Sequence, residues 1–262
     1  MEKSNGRLVF LEEASSIEKL IRLFPEDPSK AENWHDLLEN LLIKISNNVV
    51  VNYLSITRDL HITVSGQGVL DVTCVLYTSP SFEVRVNLMK HTVTLDESGF
   101  HWHPEMNAFR NLGGSYIVTY AKYEQSPTGE DRGIFTSSRE SGQFEYGPYK
   151  NTTLEQKLCV SHTYSSGQCV VMQKDDAHRV RLGANVEKAS TIQMKVKIGN
   201  PGKHVVFSSQ GLTRDQLPQK PHGKKLPSSN DHNAIVKVIL AIAECYEREE
   251  TCRYVPGFEK LY

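Results

Sequence analysis

The sequence lacks an excess of either charge. Thirty Lys and Arg stand against 31 Asp and Glu, giving a net charge of −1 and a pI near 6.8. A protein held to nucleic acid mainly through phosphates carries more positive charge, and a chain kept unfolded by self-repulsion carries a larger imbalance. Cysteine is scarce and badly spaced for bridging. The five, Cys74, Cys159, Cys169, Cys245 and Cys252, include no pair at C-x-x-C spacing. The odd count and the spacing argue against a disulfide framework and a thiolate zinc site, and point to small buried apolar side chains in a reducing compartment. No apolar run reaches the roughly 18 residues that cross a bilayer, so no membrane partner is expected. The opening Met1 to Arg7 leads into no apolar stretch of signal-peptide type, and the sequon Asn151-Thr152-Thr153 is therefore expected to stay unmodified. Glycine-rich phosphate loops and the G-x-S-x-G elbow are also missing.

What is present changes character along the chain. Residues 1–46 read as a helical arm. Ser15 and Glu18 have capping-box spacing ahead of Ile17, Leu20, Ile21 and Phe24. Asp27-Pro28 opens a second helix, with Ala31, Trp34, Leu37, Leu38, Leu41, Leu42 and Ile45 in one stripe. That stripe must bury against either the protein's own sheet or a neighbouring subunit.

From Val49 the period becomes two. Leu60, Ile62 and Val64 alternate with polar residues, as do Leu70, Val72, Cys74 and Leu76. Phe82, Val84, Val86 and Leu88 oppose Glu83, Arg85 and Asn87, and Ile192, Met194, Val196 and Ile198 oppose Gln193, Lys195 and Lys197. The pattern predicts antiparallel strands with one face in the core and one in water. Weaker strands are expected over Tyr116 to Tyr123, Leu158 to Tyr164, Gln168 to Met172 and His204 to Phe207. Two stretches, 124–153 and 209–230, read as long loops. Asp231 then caps a helix whose apolar face is Ile235, Val236, Ile239, Leu240, Ala243 and Tyr246. The expected fold is a β-rich α+β single domain over 1–262. It comprises the helical arm, an antiparallel, jelly-roll-like β-sandwich over 47–208, a loop over 209–230, and a C-terminal helix and tail over 231–262.

Several strings could carry chemistry. On a strand, His101, His103 and Glu105 of His101-Trp102-His103-Pro104-Glu105 would share a face, and two imidazoles with a carboxylate suit zinc or non-haem iron. Cupins, also jelly rolls, use a His-x-His pair. They place the Glu further on and separate the leading Gly from the first His, whereas Gly99 is nearly adjacent here and Pro104 interrupts the strand. Surface or interface histidines are therefore expected, with no metal, cofactor or catalytic residue assigned. His61-Ile62-Thr63-Val64 matches one half of a two-histidine phosphodiesterase, but His91-Thr92-Val93 and His162-Thr163-Tyr164 lack the second hydroxyl. A basic stretch runs through His178, Arg179, Arg181, Lys188, Lys195, Lys197 and Lys203. It offers phosphate or RNA binding as an alternative, diluted by Asp175, Asp176 and Glu187 and without interleaved aromatics.

Of the eleven tyrosines, eight cluster at Tyr116, Tyr120 and Tyr123, at Tyr146 and Tyr149, and at Tyr246, Tyr254 and Tyr262. Tyrosine joins contact area to a polar tip and suits interfaces. It titrates near pH ~10, beside Lys at ~10.4, so an assembly stable at neutral pH would be driven apart by negative charge in alkali. Ser208-Ser209-Gln210-Gly211, a loop, and then Ser228-Ser229-Asn230-Asp231-His232-Asn233 leading into Val236, Val238, Ala241 and Cys245 resemble the cypovirus polyhedrins. The stretch at 218–227 stands as an insertion relative to them. The resemblance implies a structural protein that forms trimers and then a crystalline lattice. Such occlusion bodies form in the cytoplasm of infected insect cells, protect embedded virus particles and dissolve in alkali. The Tyr146–Tyr149 loop and the Trp34 stripe are the expected contact regions.

Overall fold

A computed structural model describes residues 12, 14–22, 36–46, 61–64, 70–90, 100–140, 143–146, 150–173, 176–197, 204–207 and 224–225. Two short helices, α1 (14–21) and α2 (36–46), precede the strands. The first seven strands are β1 (His61–Val64), β2 (Leu70–Thr78), β3 (Phe82–Lys90), β4 (His101–Trp102), β5 (Met106–Gly113), β6 (Tyr116–Glu140) and β7 (Gln143–Tyr146). They are followed by β8 (Lys150–Tyr164), β9 (Cys169–Met172), β10 (Ala177–Leu182), β11 (Lys188–Val196), β12 (His204–Phe207) and β13 (Lys224–Lys225). Every recorded pairing is antiparallel. One sheet runs β13-β1-β2-β3-β11-β5-β9. In the other, β6 pairs with β8 along one edge; along its other edge it pairs first with β10 and then with β12, and β4 bridges those two. The protein is an antiparallel β-sandwich with an N-terminal helical arm.

The helices pack on the first sheet. Ile17, Leu38, Leu42 and Ile45 are buried in one cluster with Phe82, Val84, Val86, Ile192, Met194 and Val196. Of the two partners open to the α2 stripe, its own sheet is the one it takes. Leu38, Leu41, Leu42 and Ile45 are therefore core, which corrects the expectation that this stripe is a self-assembly contact; Trp34 lies outside the described residues. Glu18 does not close a capping box with Ser15. The helix already runs at residue 14, and the Glu18 carboxylate accepts hydrogen bonds from Ser79 Oγ and Ser81 Oγ, each 2.8 Å away. This ties α1 to the β2–β3 turn.

The second correction concerns the polar face of the first sheet. Glu83, Arg85 and Asn87 on β3 and Gln193 and Lys195 on β11 were expected to face water. Instead Asn87 is 2% and Gln193 4% exposed, and Thr73, Asn107, Asn111 and Thr191 are buried as well. The helices cover the apolar face, so the polar face turns inward toward the second sheet. Met89, Val170, Met172 and Ala189 of the first sheet pack there against Tyr116, Val118 and Leu182 of the second. The buried amides satisfy one another in a chain across four strands. Thr73 Oγ1 donates to Asn87 Oδ1 (3.0 Å), Asn87 Nδ2 to Gln193 Oε1 (2.9 Å), and Gln193 Nε2 to Asn107 Oδ1 (2.8 Å). Asn107 Nδ2 ends the chain on the Glu105 carbonyl at 2.9 Å. Buried polar groups persist only when paired in this way.

The stretch 124–153 is the third correction. Its described residues, 124–140, 143–146 and 150–153, are strand or the bulge within it, with β6 pairing both β7 and β8, where a long loop was expected. Gln125 and Glu130 both pair with Leu154, so residues 126–129 form a bulge and the pairing resumes beyond it through Ile134. Lys224 and Lys225, expected in a loop, pair with Val64 and Thr63 of β1. The rest of 209–230, the C-terminal helix and its His232-Asn233 start lie outside the described residues.

A three-histidine cluster as the candidate metal centre

Three histidines come together where the short strand β4 meets β10. His101 on β4 is the register partner of His178 on β10, and His103 follows two residues after His101. Residues opposite one another in an antiparallel pair share a face, so His101 and His178 face the same side. Phe100 and Trp102 alternate to the other side. There they pack with Ala121, Leu154, Ala177 and Tyr123, which anchors the short strand and turns His101 away from them. Arg179, next to His178, also takes the far side, with its guanidinium 5.0 Å from the centre of the Phe100 ring.

The three imidazoles can each offer a nitrogen, and those atoms lie within 4.8 Å of one another. Their ring centroids are 5.0 Å apart for His101–His103, 4.6 Å for His101–His178 and 5.2 Å for His103–His178. Tetrahedral ligation at ordinary metal–nitrogen lengths separates donor nitrogens by about 3.3 Å, so modest side-chain rotations draw the set onto one ion. His178 is buried, and its Nδ1 lies 2.8 Å from the Asp176 carbonyl oxygen. A carbonyl only accepts, so Nδ1 carries the proton and Nε2 presents its lone pair. Fixing the tautomer through the outer nitrogen is how metal-binding histidines are held. The chemistry of this donor set fits a first-row transition ion.

The sequence pointed to surface or interface histidines and no metal at His101, His103 and Glu105; the structure instead brings His101 and His103 together with a buried third histidine, His178. Glu105 does not share their face: β4 ends at Trp102, and Glu105 falls in the bend before β5. The third member is His178, which the sequence reading had placed in the basic stretch. That stretch is not one surface. His178 is in the cluster, Arg181 and Lys188 are exposed on different sheets, Lys195 is half-buried on the inward face, and Lys197 Nζ donates to the Ser79 carbonyl at 3.1 Å; Lys203 lies outside the described residues. His61 pairs through its backbone with Val75 in the first sheet, whereas His162 is on β8 of the second. His91 lies outside the described residues. Tyr146 pairs with Ser137 on the hairpin arm, and Tyr149 lies outside the described residues.

Tyr120 and Tyr164 lie on the same side of the second sheet as His178, Tyr164 on β8 opposite Tyr116. Tyr120 is the register partner of His178, and its hydroxyl lies 3.4 Å from that of Tyr164. Burial, the hydrogen bond to Tyr164 and nearby acidic groups hold the Tyr120 phenol well above its ordinary range; burial does the same for Tyr116. Both are neutral at physiological pH.

No family model and no curated protein matches the chain. Solved structures with similar strand arrangements include a protein with a double-stranded β-helix domain from Klebsiella pneumoniae (13% identity, TM-score 0.29, 55% of this chain and 87% of that one). A cupin-like protein from Thermotoga maritima shares 10% identity at a TM-score of 0.28, covering 63% and 90%. Hydroquinone 1,2-dioxygenase from Sphingomonas shares 8% at a TM-score of 0.29, covering 48% and 65%. Similarity at this level says nothing about metal or substrate.

Proposed function

We propose that the chain is a metal-binding β-sandwich protein whose centre is His101, His103 and His178. The observation that carries this reading is the convergence of three imidazoles from two strands, one of them buried with its tautomer fixed by Asp176. Imidazole donors suit iron, copper, nickel or zinc, and a set without carboxylates disfavours magnesium and calcium. Three protein ligands leave at least one position for an outside ligand. A bound ion would supply Lewis-acid polarisation of an oxygen ligand placed there. The residues do the rest: Asp176 orients His178, Phe100 and Trp102 hold β4 in place, and the amide chain ending on the Glu105 carbonyl supports the turn after His103. Elemental analysis of purified protein tests this. One equivalent of a transition metal in the wild type and less than a tenth in His178→Ala and His101→Ala is the expected result. Equal metal contents in wild type and both variants would overturn it.

Self-assembly into occlusion bodies is a second reading. The residues carrying the resemblance, 208–245, lie outside the described set apart from the Lys224-Lys225 pairing. One observation favours it. Among the described residues β8 pairs only with β6, and Leu158 on it is the one exposed large hydrophobic side chain. An open edge of this kind can pair with another chain. Micrometre-sized crystalline bodies in insect cells expressing the chain would support the reading, and soluble monodisperse protein would count against it.

A further inference from the structure

We propose that the outer edge of β8 is a dimerisation surface: residues 158–164 pair antiparallel with the same segment of a second copy of this chain, about a two-fold axis at Ser161. The proposal does not rest on the metal reading. Among the described residues β8 pairs with β6 alone. Proteins blunt an open sheet edge with lysine, proline, a bulge or a very short strand. β8 is blunted only in its first half. The register with β6 slips between Gln156 and Leu158, and the Lys157–Glu155 ion pair stands at that slip. From Leu158 to Tyr164 the pairing with β6 runs without a break, and this segment holds no Asp, Glu, Lys, Arg or Pro.

The side chains say what kind of partner fits. Tyr164 stacks on Tyr116 and its hydroxyl meets that of Tyr120, while the His162 ring centroid lies 6.1 Å from that of Tyr120. His162 and Tyr164 therefore share the inward face of the second sheet, and Leu158 and Val160 share it by alternation. Ser161 faces the other way, with its hydroxyl 2.9 Å from that of Thr119. On β6 the inward residues Tyr116 and Val118 are buried, but one strand further out Leu158 is 45% exposed and His162 is exposed as well. The apolar interior runs out to the edge and ends in water. A strand with apolar side chains on the same face would continue it, and β8 is itself such a strand. In an antiparallel pair about a two-fold, residues opposite one another have the same parity, so inward side chains meet inward ones. Ser161 is the midpoint of the unbroken segment, so an axis there uses all of it. Leu158 then meets Tyr164, and Val160 meets His162, of the second copy on the inner face, and Cys159 meets Thr163 on the outer. With no charge in the segment, self-pairing sets no like charges together. Main-chain hydrogen bonds along the edge supply the affinity, as in other strand additions.

Sedimentation and cross-linking of the full chain test this. The wild type should be a dimer at micromolar concentration. Ser161→Lys, at an exposed position, sets two ammonium groups opposite one another at the axis and should weaken the dimer by about tenfold or more. Oxidation of Thr163→Cys should give a disulfide-linked dimer whose peptide map joins position 163 to the native Cys159, which is free and exposed. A monomeric wild type would overturn the proposal, whether the edge stays bare or takes a different protein. A dimer that Ser161→Lys leaves equally tight would place the contact on another surface and overturn it too. A cross-link joining Cys159 to Cys159, or no link between 159 and 163 in a dimeric protein, would overturn the axis at Ser161. Should Ser161→Lys fail to fold, the cross-link map decides. Metal content is read separately, so the failure of either reading leaves the other standing.

Discussion

Replacing Gln193 with leucine tests whether the polar face of the first sheet is interior. Gln193 is 4% exposed, accepts a hydrogen bond from Asn87 Nδ2 and donates one to Asn107 Oδ1. Leucine is close in volume and leaves no large cavity, so the cost comes from two buried groups losing partners. Each such loss costs about 1–3 kcal/mol. Asn87 Nδ2 keeps a long contact of 3.5 Å to Thr191 Oγ1, which places its share at the low end. The expected loss is about 2–4 kcal/mol by that accounting. Asn87→Leu strands Thr73 Oγ1 and Gln193 Oε1 instead and should cost a similar amount. The double variant removes both sides of the central bond together, so its cost should fall short of the sum by about 1–2 kcal/mol. Urea unfolding of the four proteins, compared at constant slope, measures the cycle. Single losses under about 0.5 kcal/mol, the range of ordinary surface changes, with additive behaviour, would show that this face is wet and that the inward orientation of the sheet is wrong.

Other consequences can be checked more briefly. Leu42→Asp puts a charge at a fully buried position in the helix–sheet cluster; it should unfold the protein at room temperature, seen by circular dichroism, as burying an unpaired charge requires. Glu18→Ala removes the acceptor of two serine hydroxyls and should lower stability by about 1–3 kcal/mol, read from the urea midpoint. The raised Tyr116 and Tyr120 values have a definite sign. Their folded pKa lies above the unfolded one, so the stability they contribute is complete below pH ~10 and is lost as pH rises beyond it. Tyrosinate absorbance should therefore show two phenols that ionise only on alkaline unfolding, and Tyr116→Phe should remove one; all eleven titrating near pH ~10 in folded protein would refute this.

The strands that alternate cleanly were legible because alternation follows from backbone pleating. Phe82, Val84, Val86 and Leu88 and their partners Ile192, Met194 and Val196 lie in the predicted strands, facing a core. The side that the polar set faces was not legible. Period two says that two faces differ, and only tertiary structure decides which meets water. Once α1 and α2 cover the apolar face, Asn87, Thr191 and Gln193 must enter the space between the sheets and pair among themselves. β5 escaped notice for the same reason: Asn107, Arg110 and Asn111 break its apolar pattern, yet Asn107 and Asn111 are buried because they hydrogen-bond inside. Arg110 reaches the end of α2 through the Ile43 carbonyl and the Ser46 hydroxyl.

His178 is the hardest case. It lies 75 residues after His103 in sequence and is brought beside His101 only by the β10–β4 register. Its one local signal was a histidine in phase with Val180 and Leu182, a polar residue where a strand turns apolar side chains inward. Read that way, His178 belongs with Asn87, Gln193 and Tyr120. All four are polar groups on inward faces, where a purely structural sandwich would carry valine or leucine. Those on the first sheet, Asn87 and Gln193, find partners in one another. On the second sheet three imidazoles converge instead, each able to offer a nitrogen, and that convergence is what points to a metal.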